Sequence, residues 1–165
     1  MKKILMFTIL LLFLVGCSKD EANSLEVSAD EENSSNEEAI DPMYDNPYFE
    51  VSQVDEWVVE EQKSTEKEGV FVNNSSVAIV SKLDENKKET WKNQVMASFS
   101  NNAEITEEME NYFAVETKRK ENIRGDVYKL EGSSHDVLVI IMTPEKAYAE
   151  TKETIQNFKH YITLK

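Results

Sequence analysis

The sequence is poor in the residues that most often build metal sites, disulfides and phosphate loops. Its 165 residues include four glycines, two histidines and one cysteine. The glycines are too scattered for a phosphate-binding loop, and His135 and His160 have no ligand-type partners at metal spacing. The single cysteine, Cys17, excludes an internal disulfide. The sequence therefore predicts no cofactor and no metal site.

Positive charge is also scarce. Lysine and arginine number 18 against 32 aspartate and glutamate residues, so the formal net charge at pH 7 is −14. A nucleic-acid-binding face needs a basic stripe and usually a high pI, so we expect no nucleic-acid partner. Anionic lipid repels an acidic surface, so any membrane affinity must come from something other than the protein surface.

The apolar run near the N-terminus is too short to cross a membrane. Residues 4–14 contain one polar residue, Thr8, and follow Lys2 and Lys3, whereas a spanning helix needs about 20 apolar residues. A positive start before a short apolar run is typical of a cleavable signal peptide. A buried helix is disfavoured because the acidic residues that follow offer no core partner. We expect residues 1–16 to be a signal peptide.

The end of this run carries a motif for lipid attachment. Leu14, Gly16 and Cys17 resemble the lipobox of bacterial lipoproteins, and the Ala-x-Ala-like site of an ordinary secretory signal is missing. The resemblance implies that the Cys17 thiol receives a diacylglycerol and that cleavage leaves Cys17 as the first mature residue. Two acyl chains hold firmly, since each buried methylene contributes about 0.8 kcal/mol. The implied location is the extracytoplasmic face of the cell membrane, with the lipid as the membrane contact.

The segment after the cysteine predicts a flexible tether. Residues 18–47 contain ten acidic residues and one lysine and are rich in serine and asparagine. Such a composition cannot bury enough apolar surface to offset the entropy lost on ordering. We therefore divide the chain into a lipoprotein signal peptide over residues 1–16, a lipidated cysteine with an acidic disordered tether over residues 17–47, and a small α+β domain over residues 48–165.

Apolar spacing within the last segment predicts its elements. Strands are expected where apolar and β-branched residues alternate or run together: residues 70–72, 77–83, 113–117, 127–130 and 137–142. Of these, residues 137–142 are continuously apolar, as in a central strand covered on both faces.

Helices are expected where apolar residues recur every three or four positions: residues 52–69, residues 84–100 with Trp91 as a core anchor, a short optional one over residues 105–113, and one that begins at Thr143 and Pro144. Residues 57–59 fit the start of a strand as an alternative. Together these elements predict a mainly antiparallel sheet of about five strands packed against two to four helices.

One basic cluster is a candidate binding site in this acidic chain. Lys118, Arg119, Lys120 and Arg124 could contact an anionic partner such as wall-polymer phosphate, an acidic protein surface or the chain's own acidic tether. The alternative, which we favour, is a solvated hairpin tip whose charges protect a strand edge.

We predict no catalytic residues. Residues 133–136 read Ser-Ser-His-Asp, but neighbours in a turn cannot place a base against a nucleophile with an acid behind it. The carboxylates could in principle supply a glycosidase pair, and we interpret them as a solvated face, notably Glu104, Glu107, Glu108 and Glu110. The protein is therefore expected not to be an enzyme.

The pattern of hairpin, helix and hairpin over residues 70–158, around the apolar runs 77–80 and 137–141, resembles small α+β lipoprotein domains of unknown function in Gram-positive bacteria. That resemblance implies no site residue. The leading hypothesis is a lipid-anchored envelope lipoprotein acting as a non-enzymatic binding or accessory module for an envelope protein or wall polymer. The alternative is an inhibitor or immunity-type lipoprotein directed against a cationic enzyme, bacteriocin or phage component. An envelope hydrolase and a signal-derived pheromone are further alternatives.

Overall fold

The structure, a computed structural model, describes residues 41–165. The predicted signal peptide, Cys17 and most of the predicted tether lie outside the described residues. The described part contains two α-helices, α1 (Trp91–Ser98) and α2 (Glu145–Phe158), and neither is long and apolar enough to cross a membrane. It also contains ten strands: β1 (Tyr44–Asp45), β2 (Phe49–Val51), β3 (Val58–Val59), β4 (Glu68–Val72), β5 (Val77–Leu83), β6 (Glu104–Met109), β7 (Tyr112–Glu116), β8 (Ile123–Leu130), β9 (Asp136–Pro144) and β10 (Ile162–Leu164).

Seven of these strands form one antiparallel sheet in the order β3-β4-β5-β9-β8-β7-β6. The middle strand is β9, and its side chains are buried on both faces because Val137 and Val139 point to one core and Leu138 to the other. The predicted central strand is thereby confirmed. The predicted hairpin of residues 70–72 and 77–83 is also confirmed, since β4 pairs with β5 from Glu68 opposite Ser81 to Val72 opposite Val77.

A second sheet of three strands, in the order β1-β2-β10, joins the two ends of the described chain. In it, Ile162 lies opposite Val51 and Leu164 lies opposite Phe49. Strand pairing begins at Tyr44, which lies opposite Val51 on the other edge of β2. The folded part therefore starts before the predicted domain boundary at residue 48.

Each face of the large sheet has its own hydrophobic core. On one face, α2 and the small sheet cover a core that includes the fully buried Phe49, Phe71 and Phe158. On the other face, α1 packs Trp91 against Phe113, with 5.6 Å between the ring centroids. The expectation that Trp91 is a core anchor is confirmed. Full burial of each such side chain contributes about 1.5–3 kcal/mol, so the two layers hold the sheet from both sides.

Two predicted helices are wrong. Residues 52–69 contain strand β3 and turns rather than a helix. Val58 pairs with Val72 of strand β4, and the Trp57 ring packs on the Phe158 ring with 4.4 Å between the ring centroids. The alternative of a strand start at residues 57–59 is the one that forms. Residues 105–113 form the hairpin of β6 and β7 instead of a short helix, since cross-strand pairing with the rest of the sheet outweighs the helix propensity of the glutamates.

The other two helices differ from prediction at their ends. The predicted helix over residues 84–100 is divided into a 3₁₀ turn at Glu85–Lys87 and helix α1. The Thr143 hydroxyl does not cap α2, because it lies in β9 and shares a 2.8 Å hydrogen bond with the Ser76 hydroxyl. The structure is thus α+β and mainly antiparallel as predicted, with more strands and fewer helices than the sequence indicates.

Candidate functional site

A β-bulge in the edge strand β6 positions one side chain of the candidate site, Glu107. The pairing of β6 with β7 shifts register between Ile105 and Glu107, so that Glu107 lies opposite Ala114. Ala114 in turn lies opposite Asp126 of β8. Directly opposed residues in an antiparallel pair project from the same face of the sheet, so the bulge brings Glu107 to the face that carries Asp126, the face covered by α2.

The side chains on this face form a buried ionic cluster around Arg124. The Arg124 Nη2 atom donates to Glu107 Oε1 at 2.8 Å and to Asp126 Oδ1 at 3.2 Å. The Tyr112 hydroxyl donates to Asp126 Oδ1 at 2.8 Å, and the guanidinium carbon lies 4.4 Å from the centroid of the Tyr148 ring. We call these five residues the arginine cluster. It links β6, β7 and β8 to α2.

Burial and hydrogen bonding together set the protonation states of Arg124 and Tyr112. Asp126 is 1% exposed and Arg124 is 8% exposed. Burial opposes the charge on Arg124, but its hydrogen bonds with Glu107 and Asp126 raise the pKa of the guanidinium overall. Burial, together with the hydrogen bond to Asp126, raises the pKa of the Tyr112 phenol. At neutral pH the guanidinium therefore stays charged and the phenol stays a donor, which suits a structural clip rather than a proton-transfer group.

An open groove of about 820 Å³ lies beside the arginine cluster, between the β6–β8 end of the sheet and the end of α2. Its lining includes an apolar set, whose members are Met109, Tyr112, Tyr128 and Leu130. The rings of Tyr112 and Tyr128 lie 4.8 Å apart, and burial also raises the pKa of the Tyr128 phenol.

Both acidic and basic side chains line this groove. Glu107 and Glu110 come from β6 and the turn after it, Lys129 comes from β8 and pairs with Glu131, and Lys159 follows the end of α2. Lys159 Nζ lies 4.8 Å from the centroid of the Tyr128 ring. The groove also holds an unused acceptor, because Oδ1 of Asn111 is buried with no hydrogen-bond partner among the described residues. The groove therefore offers an apolar surface with charged groups of both signs at its rim.

The predicted basic cluster is split in the structure. Lys118, Arg119 and Lys120 are exposed after the end of β7, and Lys118 Nζ pairs with Glu116 Oε2 at 3.0 Å. Arg124 points inward and is held in the arginine cluster. The grouping of Arg124 with the exposed residues is thus wrong, because a carboxylate two positions on along the same face of β8 draws the guanidinium into the core. The other three remain candidate contacts for an anionic partner.

The histidines have separate surroundings. His135 is 6% exposed, and its Nε2 donates to the carbonyl oxygen of Tyr48 at 2.7 Å. The neighbouring Asp136 forms an ion pair with Lys88, with 3.7 Å between Oδ2 and Nζ. His160 lines the groove, and residues 41–165 contain no group of three or more side chains placed to hold a metal ion. His135 thus ties the turn after β8 to the strand β2 region.

The arginine cluster was not predicted from the sequence, because the strand that became β8 was predicted to begin at residue 127. With the strand extended to Ile123, Arg124, Asp126 and Tyr128 alternate and must share a face. That alternation is a readable signal for a polar cluster on an otherwise apolar sheet face.

Comparison with known proteins identifies no family for this chain. No family model matches the chain, and no curated protein matches it. Among solved structures it is similar to the Ran-binding protein Mog1p of Saccharomyces cerevisiae, with 12% identity over 70% of this chain and 89% of that chain and a TM-score of 0.48. It is also similar to cyanobacterial PsbP (CyanoP) from Synechocystis sp. PCC 6803, with 13% identity over 71% of this chain and 86% of that chain and a TM-score of 0.37. Both likenesses are too distant to transfer a ligand or partner.

Proposed function

We propose that this protein is a lipid-anchored lipoprotein of the bacterial cell envelope and acts there as a non-enzymatic binding module. The lipid on Cys17 is the anchor, and the acidic segment after it is a tether. A flexible chain of about 25 residues has an end-to-end distance of roughly 25–30 Å. The folded domain would thus work within a few tens of ångströms of the membrane, on an envelope protein or a wall polymer.

The groove beside the arginine cluster is the observation that supports a binding role. Ligand sites are generally concave, with an apolar lining and a few polar groups that fix orientation. This groove has both, through Tyr112, Tyr128 and the oppositely charged Glu110 and Lys159. The arginine cluster holds its strands and helix together, so the groove is formed before a ligand arrives. A preformed site spares the free energy of ordering side chains on binding.

Crosslinking in intact cells tests the binding role. A photoreactive amino acid is placed at His160, which is exposed in the groove and lies outside β6, and at Val58, which is 63% exposed on the edge strand β3. We expect a discrete adduct from position 160 that is absent from position 58. Equal adducts from both positions, or none from position 160, would contradict the proposal.

An inhibitor or immunity-type role is the second candidate, and the acidity of β6 favours it. This strand carries Glu104, Glu107 and Glu108 within six exposed residues, and such a surface steers cationic proteins toward it. A strain lacking the gene should then be more sensitive to cationic bacteriocins, wall-degrading enzymes or phage. Equal sensitivity of the deletion and parent strains would remove this candidate.

A further inference from the structure

Strand β6 is an open edge of the large sheet. It is the last strand in the order, its one partner strand within residues 41–165 is β7, and it is exposed at all six of its residues. An edge strand presents a row of unpaired backbone N–H and C=O groups to any chain that can lie alongside it. The opposite edge, β3, has only two residues, so β6 is the longer of the two free edges of the seven-stranded sheet.

Ion pairs hold β6 in place from both faces of the sheet. On the α2 face, Glu107 is bound by Arg124 at 2.8 Å. On the α1 face, Lys92 Nζ donates to Glu108 Oε1 and to the Met109 carbonyl oxygen, each at 2.8 Å. A strand fixed in this way loses little conformational entropy when another chain pairs with it.

The side chains of β6 disfavour a second copy of the same strand. Glutamates occupy three of its six positions, and like charges placed opposite each other destabilise a strand pair. A basic segment would instead place lysine or arginine near Glu104 and near the second carboxylate oxygens of Glu107 and Glu108, whose Oε1 atoms bind Arg124 and Lys92. Ile105 and Met109, which are 42% and 65% exposed, add an apolar contact on each face, because they lie opposite Val115 and Tyr112 respectively.

We infer that β6 is a docking strand for an extended basic segment of a partner protein, which adds to the sheet through backbone hydrogen bonds. This inference rests on the proposed function and names the chemistry of the partner and its mode of binding. Strand addition draws affinity from the main chain and specificity from alternate side chains. Every second residue of the partner segment would be lysine or arginine, on the α2 face of the sheet, where Glu104 and Glu107 lie.

The test uses the full-length chain and a synthetic peptide of alternating lysine and valine, with capped ends. We expect the peptide to bind more weakly as salt is raised and to slow amide hydrogen exchange within residues 104–109. Two control peptides are used: one with glutamate in place of lysine, and one with a central proline that removes a backbone donor. Neither control should bind or protect these amides.

Two matched charge variants locate the contact. Glu104 is exposed, lies in β6 and is absent from the groove lining, so its replacement by glutamine (E104Q) removes a charge from the docking strand alone. This variant should bind the lysine peptide about twofold to fivefold more weakly, from the usual strength of a cross-strand charge pair. Replacing Glu153 of α2, which is exposed, by glutamine removes the same charge elsewhere and should change binding less than about 1.5-fold.

Failure to bind, equal binding of the glutamate peptide, or protection at amides other than residues 104–109 would each overturn the docking strand. The proposed function is tested separately by the crosslinking from His160, which lies in the groove and outside β6. If the peptide docks on β6 and no adduct forms from His160, the binding role of the groove is contradicted and the docking strand is not. If an adduct forms from His160 and the peptide does not dock, the docking strand alone is contradicted.

Discussion

Removing the Arg124 side-chain charge should destabilise the folded domain far more than removing a surface charge. Asp126 is 1% exposed and would lose its hydrogen bonds from Nε of Arg124, at 3.2 and 3.3 Å, and from Nη2, at 3.2 Å, keeping only the one from the Tyr112 hydroxyl at 2.8 Å. Breaking a buried ion pair from one side costs about 3–5 kcal/mol. We expect Arg124→Met to lower the free energy of unfolding by about 3 kcal/mol, at the low end because Tyr112 remains and methionine still packs on Tyr148.

Urea unfolding of the full chain measures this loss. The two buried tryptophans, Trp57 and Trp91, report the transition by fluorescence. With about 1–3 kcal/mol per molar urea for a domain of this size, the midpoint should fall by roughly 1–3 M.

Two matched variants show whether the buried pair is the cause. Lys118→Met removes the exposed pair with Glu116 and should shift the urea midpoint far less than Arg124→Met does, because an exposed ion pair is screened by solvent. Arg124→Met combined with Asp126→Leu removes both buried charges and should recover most of the loss, because no unpaired charge is left inside. A loss below about 1 kcal/mol for Arg124→Met, or a double variant no more stable than the single one, would refute the reasoning.

Three further predictions follow from particular contacts. Burial raises the pKa of Tyr112 and Tyr128 above the ordinary value of 10.0. Below pH 10 the folded and the unfolded chain both keep these protons, and above pH 10 the unfolded chain releases them first. The free energy of unfolding, measured by urea titration, should therefore fall as pH rises past 10 by at most about 1.4 kcal/mol per pH unit for each tyrosine, and Tyr112→Phe should lessen this fall. Gly125→Ala should lower the melting temperature, because the new Cβ would lie 2.8 Å from the Phe99 ring and overpacking costs about 1–3 kcal/mol; an unchanged melting temperature would contradict this. Replacing the exposed basic residues 118–120 by alanine should weaken capture of an anionic envelope partner in a pull-down, and unchanged capture would leave them as a solvated hairpin tip.

The elements that the sequence predicts well are those whose signal is local. Strand β9 is a continuous apolar run, and β4 with β5 is a pair of β-rich runs joined by a short polar loop. Strand β10 has no such signal, because Ile162 continues the helical spacing of Phe158 and becomes a strand only by pairing with Val51 far away in the chain. The predicted helix over residues 105–113 is wrong for the same reason, because residues 104–109 are a strand only through their pairing with β7.

The candidate site was less predictable than the fold. A strand predicted to begin at residue 123 would have placed Arg124, Asp126 and Tyr128 on one face of the sheet. The reach of Glu107 to Arg124 could not, because it depends on a bulge that only the pairing of β6 with β7 reveals. The groove depends in addition on α2 ending at Phe158, which leaves the ends of β7 and β8 open beside Lys159.

The anchor at Cys17 is the central claim, and lipid labelling tests it most directly. Cells are grown with radiolabelled palmitate, and the full-length chain and its Cys17→Ala variant are compared by label and by fractionation. We expect the wild-type chain to carry label in the membrane fraction, and the variant to be unlabelled and either released into the medium or left unprocessed. A wild-type chain without label, or a variant that is correctly processed and still membrane-bound, would contradict the lipoprotein assignment.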